Sequence, residues 1–260
     1  EAHIKSGEGL DILGGMFPGS PTISLGYTKN LSWAVTVNEP DMVDVFVLDM
    51  HPDDPSRYKL DGEWQTLEQE EIEIDVLLWG FLPWSSSQTL LRSAHGPVMR
   101  TDHGTYAVRY AGMGEVRQVE QWMAMNKAQN FDEWRDAMRL HAFASFNFVY
   151  ADIDGNIMLV HNSQTPIRKE GYDWKQYLPG DKSELIWNEQ LAFDALPQVI
   201  NPKSGYVHSA NQTPFLVTAE GDNPNPDNYS PTAGFQTRIT NRTNRGLEML
   251  AELGPISEAE

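Results

Sequence analysis

The sequence predicts an α+β fold. Three observations carry that expectation. Runs rich in Val, Trp, Thr and Phe, broken by turn residues, extend through residues 31–110. The hydrophobic period then becomes helical over residues 116–141. Strand-like runs return at 146–162, and a helical segment closes the chain. Strands, helices, strands and a helix in that order suit packed layers better than a repeated βαβ unit.

Each element has its own signal. Residues 10–26 are rich in Gly and Pro and read as loops joining short strands. Residues 31–37 and 43–50 read as strands. Asp61-Gly62, inside Tyr58–Trp64, predicts a hairpin because that dipeptide tolerates the positive φ of a tight turn. Glu71–Leu77 alternates charged and apolar residues, as a half-exposed strand does, and Pro97–Tyr110 continues as strand and turn. Val116, Val119, Trp122, Met123 and Met125 fit one helix, and Phe131, Trp134, Met138 and Leu140 a second. Asn130, with Glu133 three residues later, resembles a capping box for the second. Phe146–Asn162 turns at Asp154-Gly155-Asn156, residues 163–235 are mostly loop, and 243–253 is helical. No repeat or linker divides the chain, which reads as one domain over residues 1–260.

Composition narrows the function. Nineteen basic against 37 acidic residues give a net charge of −18. That excludes nucleic acid and anionic membrane surfaces as partners, and suits hard cations. The absence of cysteine excludes disulfides, thiol nucleophiles and thiolate metal sites. No apolar run reaches transmembrane length, so no membrane insertion is expected. The chain starts Glu1-Ala2-His3-Ile4, without an initiator Met, which suggests a piece of a longer chain; a processed subunit would start in the same way.

Several candidate sites fail on inspection. Asp152-Ile153-Asp154-Gly155-Asn156 starts like an EF-hand loop, but Ile157 stands where glycine is required and Ser163 where glutamate is needed. The seven histidines show no zinc spacing, and His95 stands out only for the Gly96-Pro97 that follows. There is no Gly-x-Ser-x-Gly elbow and no phosphate loop. Asp41 and Asp44 are more informative, as two carboxylates between apolar strands. A solvated turn accounts for them; so does a cation, with the Val43 carbonyl and the acidic stretch Asp222–Asp227 adding oxygens. Asn211 reads either as a loop-satisfying amide or as a donor aimed at an oxyanion, and Arg242 and Arg245 read as a solvated helix face.

The motifs in their order resemble the penicillin acylase family of N-terminal nucleophile hydrolases. They are Phe17-Pro18-Gly19-Ser20-Pro21, Gly26-Tyr27-Thr28-Lys29-Asn30, Trp33 to Asp44, His95-Gly96-Pro97-Val98, Asn147 to Asp152 with Gly155-Asn156-Ile157, Pro166-Ile167-Arg168, Pro179-Gly180, Asn201 to Tyr206 and Ala210 to Pro214. The resemblance implies a four-layer αββα fold, incomplete in this chain. It implies export to the periplasm as a precursor that cuts itself into two subunits. It also implies amide hydrolysis by an N-terminal Ser whose own α-amine is the base. On this resemblance Val37 supplies a backbone N–H to the oxyanion hole, Asn211 its side-chain donor, and Arg242 orders the catalytic amine region. Asp41, Val43 and Asp44 match calcium ligands, with Asp227 the best candidate for a further one. Phe17, Trp33 and Phe148 are candidates for the wall of an acyl pocket.

The departures from the family pattern are specific. Glu1 has no hydroxyl to activate, so the nucleophile, like the small subunit, is expected outside this sequence. Tyr27 replaces the usual His of the Gly-His-Asn run. Penicillins, cephalosporins, acyl-homoserine lactones and lipopeptides all remain open as substrates. A calcium-binding structural module that reuses the fold without chemistry is the alternative to an enzyme.

Overall fold

The computed structural model describes residues 1–253. Its strands in chain order are β1 (Ala2–Lys5), β2 (Asp11–Gly15), β3 (Leu25–Tyr27), β4 (Leu31–Thr36), β5 (Val43–Val47), β6 (Arg57–Leu60), β7 (Glu63–Thr66), β8 (Glu68–Leu78), β9 (Leu82–Ser93), β10 (Gly96–Thr101), β11 (Gly104–Tyr110), β12 (Ser145–Asp152), β13 (Ile157–Ser163), β14 (Leu178–Pro179) and β15 (Gln198–Ile200). The helices are α1 (Gln118–Lys127), α2 (Phe131–Met138) and α3 (Asn241–Glu252). The class is α+β, as the sequence predicts.

Where the sequence reads as one domain, the structure divides into two compact units. The second holds Met42–Met113 and Ile167–Glu189, and the first holds the remaining described residues. The division leaves no mark in composition, because the second unit is assembled from two stretches and no Gly/Ser linker sets off either.

The first unit contains an antiparallel sheet of order β1-β2-β3-β4-β12-β13-β15. Strand alternation gives one face of β4 to Leu31 and Trp33, and one face of β12 to Phe148 and Tyr150. These pack with Trp122 and Met125 of α1 and Trp134 and Met138 of α2 in one apolar cluster. The α2 capping box forms: Asn130 Oδ1 accepts from Glu133 N–H at 2.9 Å. Glu133 reaches back one residue further than the motif requires, accepting from Gln129 N–H. In α1 the buried positions are Gln121, Trp122, Met125 and Asn126, while Val116, before the helix, and Val119 are exposed. The expected apolar stripe is therefore shifted, because two amides are held in the core by backbone partners. Asn126 accepts from Ile23 N–H at 2.9 Å and donates to Ile23 C=O at 2.8 Å, tying the Gly/Pro-rich loop to α1.

The second unit contains a sheet of order β14-β5-β11-β10-β9-β8, with only β14 and β5 parallel. A separate β6–β7 hairpin turns at Asp61 and Gly62, with φ of 51° and 88°, as the dipeptide predicts. Its core gathers Phe46, Leu48, Tyr58, Leu67 and Trp174 among others. His95 belongs there. Its ring stacks on Phe46 with centroids 4.2 Å apart, and Nε2–H donates to Gly180 C=O at 3.0 Å. Burial lowers its pKa, so it is a neutral packing residue.

One close approach limits substitution in the first unit. Gly14 of β2 and Gly26 of β3 are paired in register. A Cβ on Gly14 would lie 2.1 Å from Leu25 O, and one on Gly26 would lie 2.4 Å from Leu13 O. Only glycine lets these strands meet. Gly14→Ala is expected to destabilise the intact protein by about 1–3 kcal/mol, read as a lowered urea midpoint. An unchanged midpoint would show that β2 and β3 tolerate separation.

Candidate active site

The site begins where β4 ends. At the far end of the β4–β12 ladder, Ile153 N–H donates to Asn30 C=O at 2.9 Å. Antiparallel pairs alternate between hydrogen-bonded and non-bonded, so the even residues of β4 bond to β12. Thr36 and Asn147 are thus a bonded pair, and the next N–H, that of Val37, turns away from β12. Among the described residues no protein group accepts from it. Val37 is 60% exposed.

The carbonyl of Val37 is pinned instead. Asn211 Nδ2 donates to it at 2.8 Å and Asn147 Nδ2 at 3.3 Å. Asn147 Nδ2 also lies 3.2 Å from Thr36 Oγ1, which pairs with Ser209 Oγ at 2.7 Å. Asn147 Oδ1 accepts from His161 Nδ1 at 3.0 Å. Thr36, Asn147 and His161 are cross-strand neighbours on β4, β12 and β13, so they form one polar row. The row lies on the sheet face opposite Trp33 and Phe148.

Arg242 settles which way the Asn211 amide points. Its Nη2 donates to Asn211 Oδ1 at 2.5 Å and to Ala210 C=O at 2.7 Å. A guanidinium only donates and a carbonyl only accepts, so Oδ1 faces Arg242 and Nδ2 faces Val37. Asn211 Nδ2 carries two N–H bonds, of which the Val37 carbonyl takes one. Asn211 also has φ +62°, a left-handed conformation that Asn tolerates better than most residues. Val37, Asn211 and Arg242, three of the residues singled out in the sequence, thus form one hydrogen-bonded cluster.

His161 is fully buried and packs edge-on against Phe235, with centroids 5.6 Å apart. Burial pulls its pKa down to about 3, so the ring is neutral with the proton on Nδ1. Thr36, Asn147, His161 and Ser209 carry no functional assignment from sequence. The available signal was an Asn and a His at buried positions of largely apolar strands, and its meaning depended on the register.

The pocket candidates require a correction. Trp33 and Phe148 are core residues, 3% and 0% exposed. Trp33 Nε1 donates to Ser24 C=O at 3.0 Å, and Phe148 sits among Trp122, Trp134, Phe143 and Phe146. Strand parity turns both rings toward the helices, so neither lines an open cavity. Phe17 is exposed and stacks on Phe146 at 6.2 Å.

The acidic break has different surroundings on its two sides. Asp41 is the last residue of the first unit's opening stretch, and its N–H donates to Gly234 C=O at 2.8 Å. Val43 and Asp44 start β5 in the second unit. Asp44 is wholly buried, and its Oδ2 accepts from Arg168 Nε at 2.9 Å and Trp187 Nε1 at 2.6 Å. Asp227 is exposed in a short 3₁₀ turn. Carboxylates and a peptide carbonyl are the oxygen donors calcium takes. Their number falls short of a full shell, and among the described residues no group of three or more His, Asp or Glu side chains is gathered around a metal position.

Comparison with known proteins identifies the family. All of residues 1–260 match the penicillin amidase family. The chain is 31% identical to penicillin G acylase of Escherichia coli over 238 residues, covering 90% of this chain and 27% of that protein. It is 26% identical to the acyl-homoserine lactone acylase PvdQ of Pseudomonas fluorescens strain Pf0-1, covering 92% and 33%. A solved thermostable penicillin G acylase from Alcaligenes faecalis superposes with a TM-score of 0.79 at 27% identity, covering 99% of this chain and 44% of that one. The chain belongs to the penicillin amidase family and spans a third or less of the length of these two curated relatives.

The buried His161 makes stability pH-dependent. Its folded pKa of about 3 lies below the ordinary imidazole value, so between the two the unfolded chain binds a proton that the folded chain refuses. Stability therefore falls as pH drops from about 6.5 toward 3, by at most about 1.4 kcal/mol per pH unit from this group. His161→Gln is expected to flatten that slope in urea unfolding between pH 4 and 6.5. An identical slope in the variant would contradict the assignment.

Proposed function

We propose that this chain is part of the large subunit of an enzyme that hydrolyses the amide bond of an N-acylated small molecule. In this reading the Val37 N–H and the second Asn211 N–H stabilise the oxyanion formed when the amide carbonyl is attacked. The observation that carries it is the locked Asn211 amide: Arg242 holds Oδ1, so Nδ2 is fixed as a donor beside Val37. Donors held in place before charge develops need no reorganisation during the reaction, and removing one typically costs about 2.7–4 kcal/mol of transition-state stabilisation.

The rest of the machinery follows from family membership. A Ser at the start of the mature large subunit would attack, with its α-amine as base. This chain covers 27% and 33% of the two curated relatives, and in this reading that Ser and the small subunit belong to the part of a longer protein that it does not cover. The complete four-layer αββα arrangement and a periplasmic or secreted location belong to the same proposal. Penicillins and acyl-homoserine lactones, named by the relatives' activities, are the first substrates to assay.

We also infer a structural calcium ion at the break, with Asp41, the Val43 carbonyl, Asp44 and Asp227 as ligands. Support lies in the donor chemistry and the net charge of −18. Calcium would anchor the chain just beyond Val37.

In the full-length enzyme, Asn211→Ala is expected to lower kcat by about 10²–10³-fold, with only a modest fall in melting temperature from the lost side-chain bonds and the left-handed backbone. Near wild-type turnover would remove Asn211 from the oxyanion hole, and a full-length protein that cleaves no acyl amide would favour the non-catalytic module. For calcium, Asp41→Ala is the informative variant, because Asp44→Ala also strands the buried Arg168. Added calcium should raise the melting temperature of the wild type and not of Asp41→Ala. Equal stabilisation of both would place the ion elsewhere.

A further inference from the structure

β8 and β9 form a ribbon that leaves its sheet. They pair over their whole length, from Glu68↔Arg92 to Leu78↔Leu82. Only Leu91, Arg92 and Ser93 of β9 are tied to β10. The remaining pairs extend beyond the sheet as two strands alone, and an isolated two-stranded ribbon is marginal in water.

The sequence of the ribbon is nonetheless two-faced. Ile74, Val76, Leu78, Leu82, Trp84 and Leu90 share one face in register, and all are exposed. Toward the base that face also carries Glu68, Glu70, Ser86, Gln88 and Arg92, so its apolar part is the outer half; the other face carries Glu71, Glu73 and Asp75 opposite Thr89, Ser87 and Ser85, with Leu77 opposite Pro83 near the tip. Period-2 alternation of this kind belongs to a sheet with one buried face. At the tip, Trp79 has φ +53° and is 81% exposed, and Phe81 is 76% exposed. A contiguous apolar surface of this kind marks an interaction site.

We propose that the apolar face of the β8–β9 ribbon is a docking surface for an apolar segment of the same precursor lying outside these 260 residues. Two observations choose this occupant. More than half of the matching acylase chain has no counterpart here, since this chain covers 44% of it. A second copy is disfavoured by charge: each copy carries −18, and the ribbon itself bears Glu68, Glu70, Glu71, Glu73 and Asp75. The inference rests on family membership and not on the assignment of the oxyanion donors.

The test uses the full-length, processed protein. Hydrogen exchange of the amides of residues 72–84 is expected to be as slow as that of β4 and β12, at every protein concentration. Val76→Asp, on the apolar face, should lose that protection, while Glu73→Lys, on the polar face, should keep it. Fast exchange in the wild type would overturn the proposal, and so would protection that grows with protein concentration, which would indicate self-association. If Val76→Asp cannot be produced, the wild-type exchange decides alone. Acylase activity is read separately, so its absence would count against the proposed function and leave this result standing.

Discussion

The carbonyl of Val37 takes amide N–H bonds from two directions, and the geometry of the site depends on that pinning. The residue sits one position past the last bonded pair of β4, where a strand end ordinarily frays. Holding one residue in a single backbone conformation costs about 1–2 kcal/mol. A neutral hydrogen bond returns about 0.5–1.5 kcal/mol net. One bond roughly balances the cost, and two exceed it. Asn147 supplies one from within the sheet and Asn211 the other from a loop, and each is itself oriented, by His161 and Arg242 respectively. The result is a peptide N–H held in a defined direction, with no protein acceptor among the described residues.

The second unit solves a different problem. Asp44 and Arg168 are 124 residues apart in sequence and meet with both side chains fully buried. Burying two charges is costly, and an ion pair offsets this only when further hydrogen bonds complete it. Trp187 adds one to the same carboxylate oxygen. Arg109 lies over the Trp187 ring at 4.8 Å and donates to the Trp187 and His95 carbonyls. Asp44 is therefore part of a polar core joining β5, β11 and the returning segment, whatever further ligand it holds.

Legibility from sequence followed the range of the interaction. The Asp61-Gly62 turn, the Asn130 cap and the α+β order were readable because their causes lie within a few residues. The α1 stripe was misplaced because Gln121 and Asn126 satisfy their amides on distant backbone. Trp33 and Phe148 were assigned by residue type, whereas strand parity decides which side a ring faces. No local pattern announces the Asp44–Arg168 pair. Val37 and Arg242 received roles only through family resemblance, and Asn211 stood open between a loop amide and an oxyanion donor; their hydrogen bonds bring the three together. The alternation in β8 predicts a half-exposed strand; the strand forms, but within this chain both of its faces meet solvent.

Asn211 narrows the choice of residue more than any other position in the cluster. Its backbone is left-handed, which Gly, Asn and Asp adopt with the least strain. Its side chain must also present an acceptor to Arg242 and a donor to Val37 at once. Gly has neither group, and ionised Asp has no donor. Gln carries the right amide on a longer stem but lacks the conformational tolerance. Asn meets both demands, so drift at this position is narrowly limited without a compensating change of the backbone around it. In a distant sequence of this fold, a different residue there would signal either a rebuilt loop or a protein that has given up the donor.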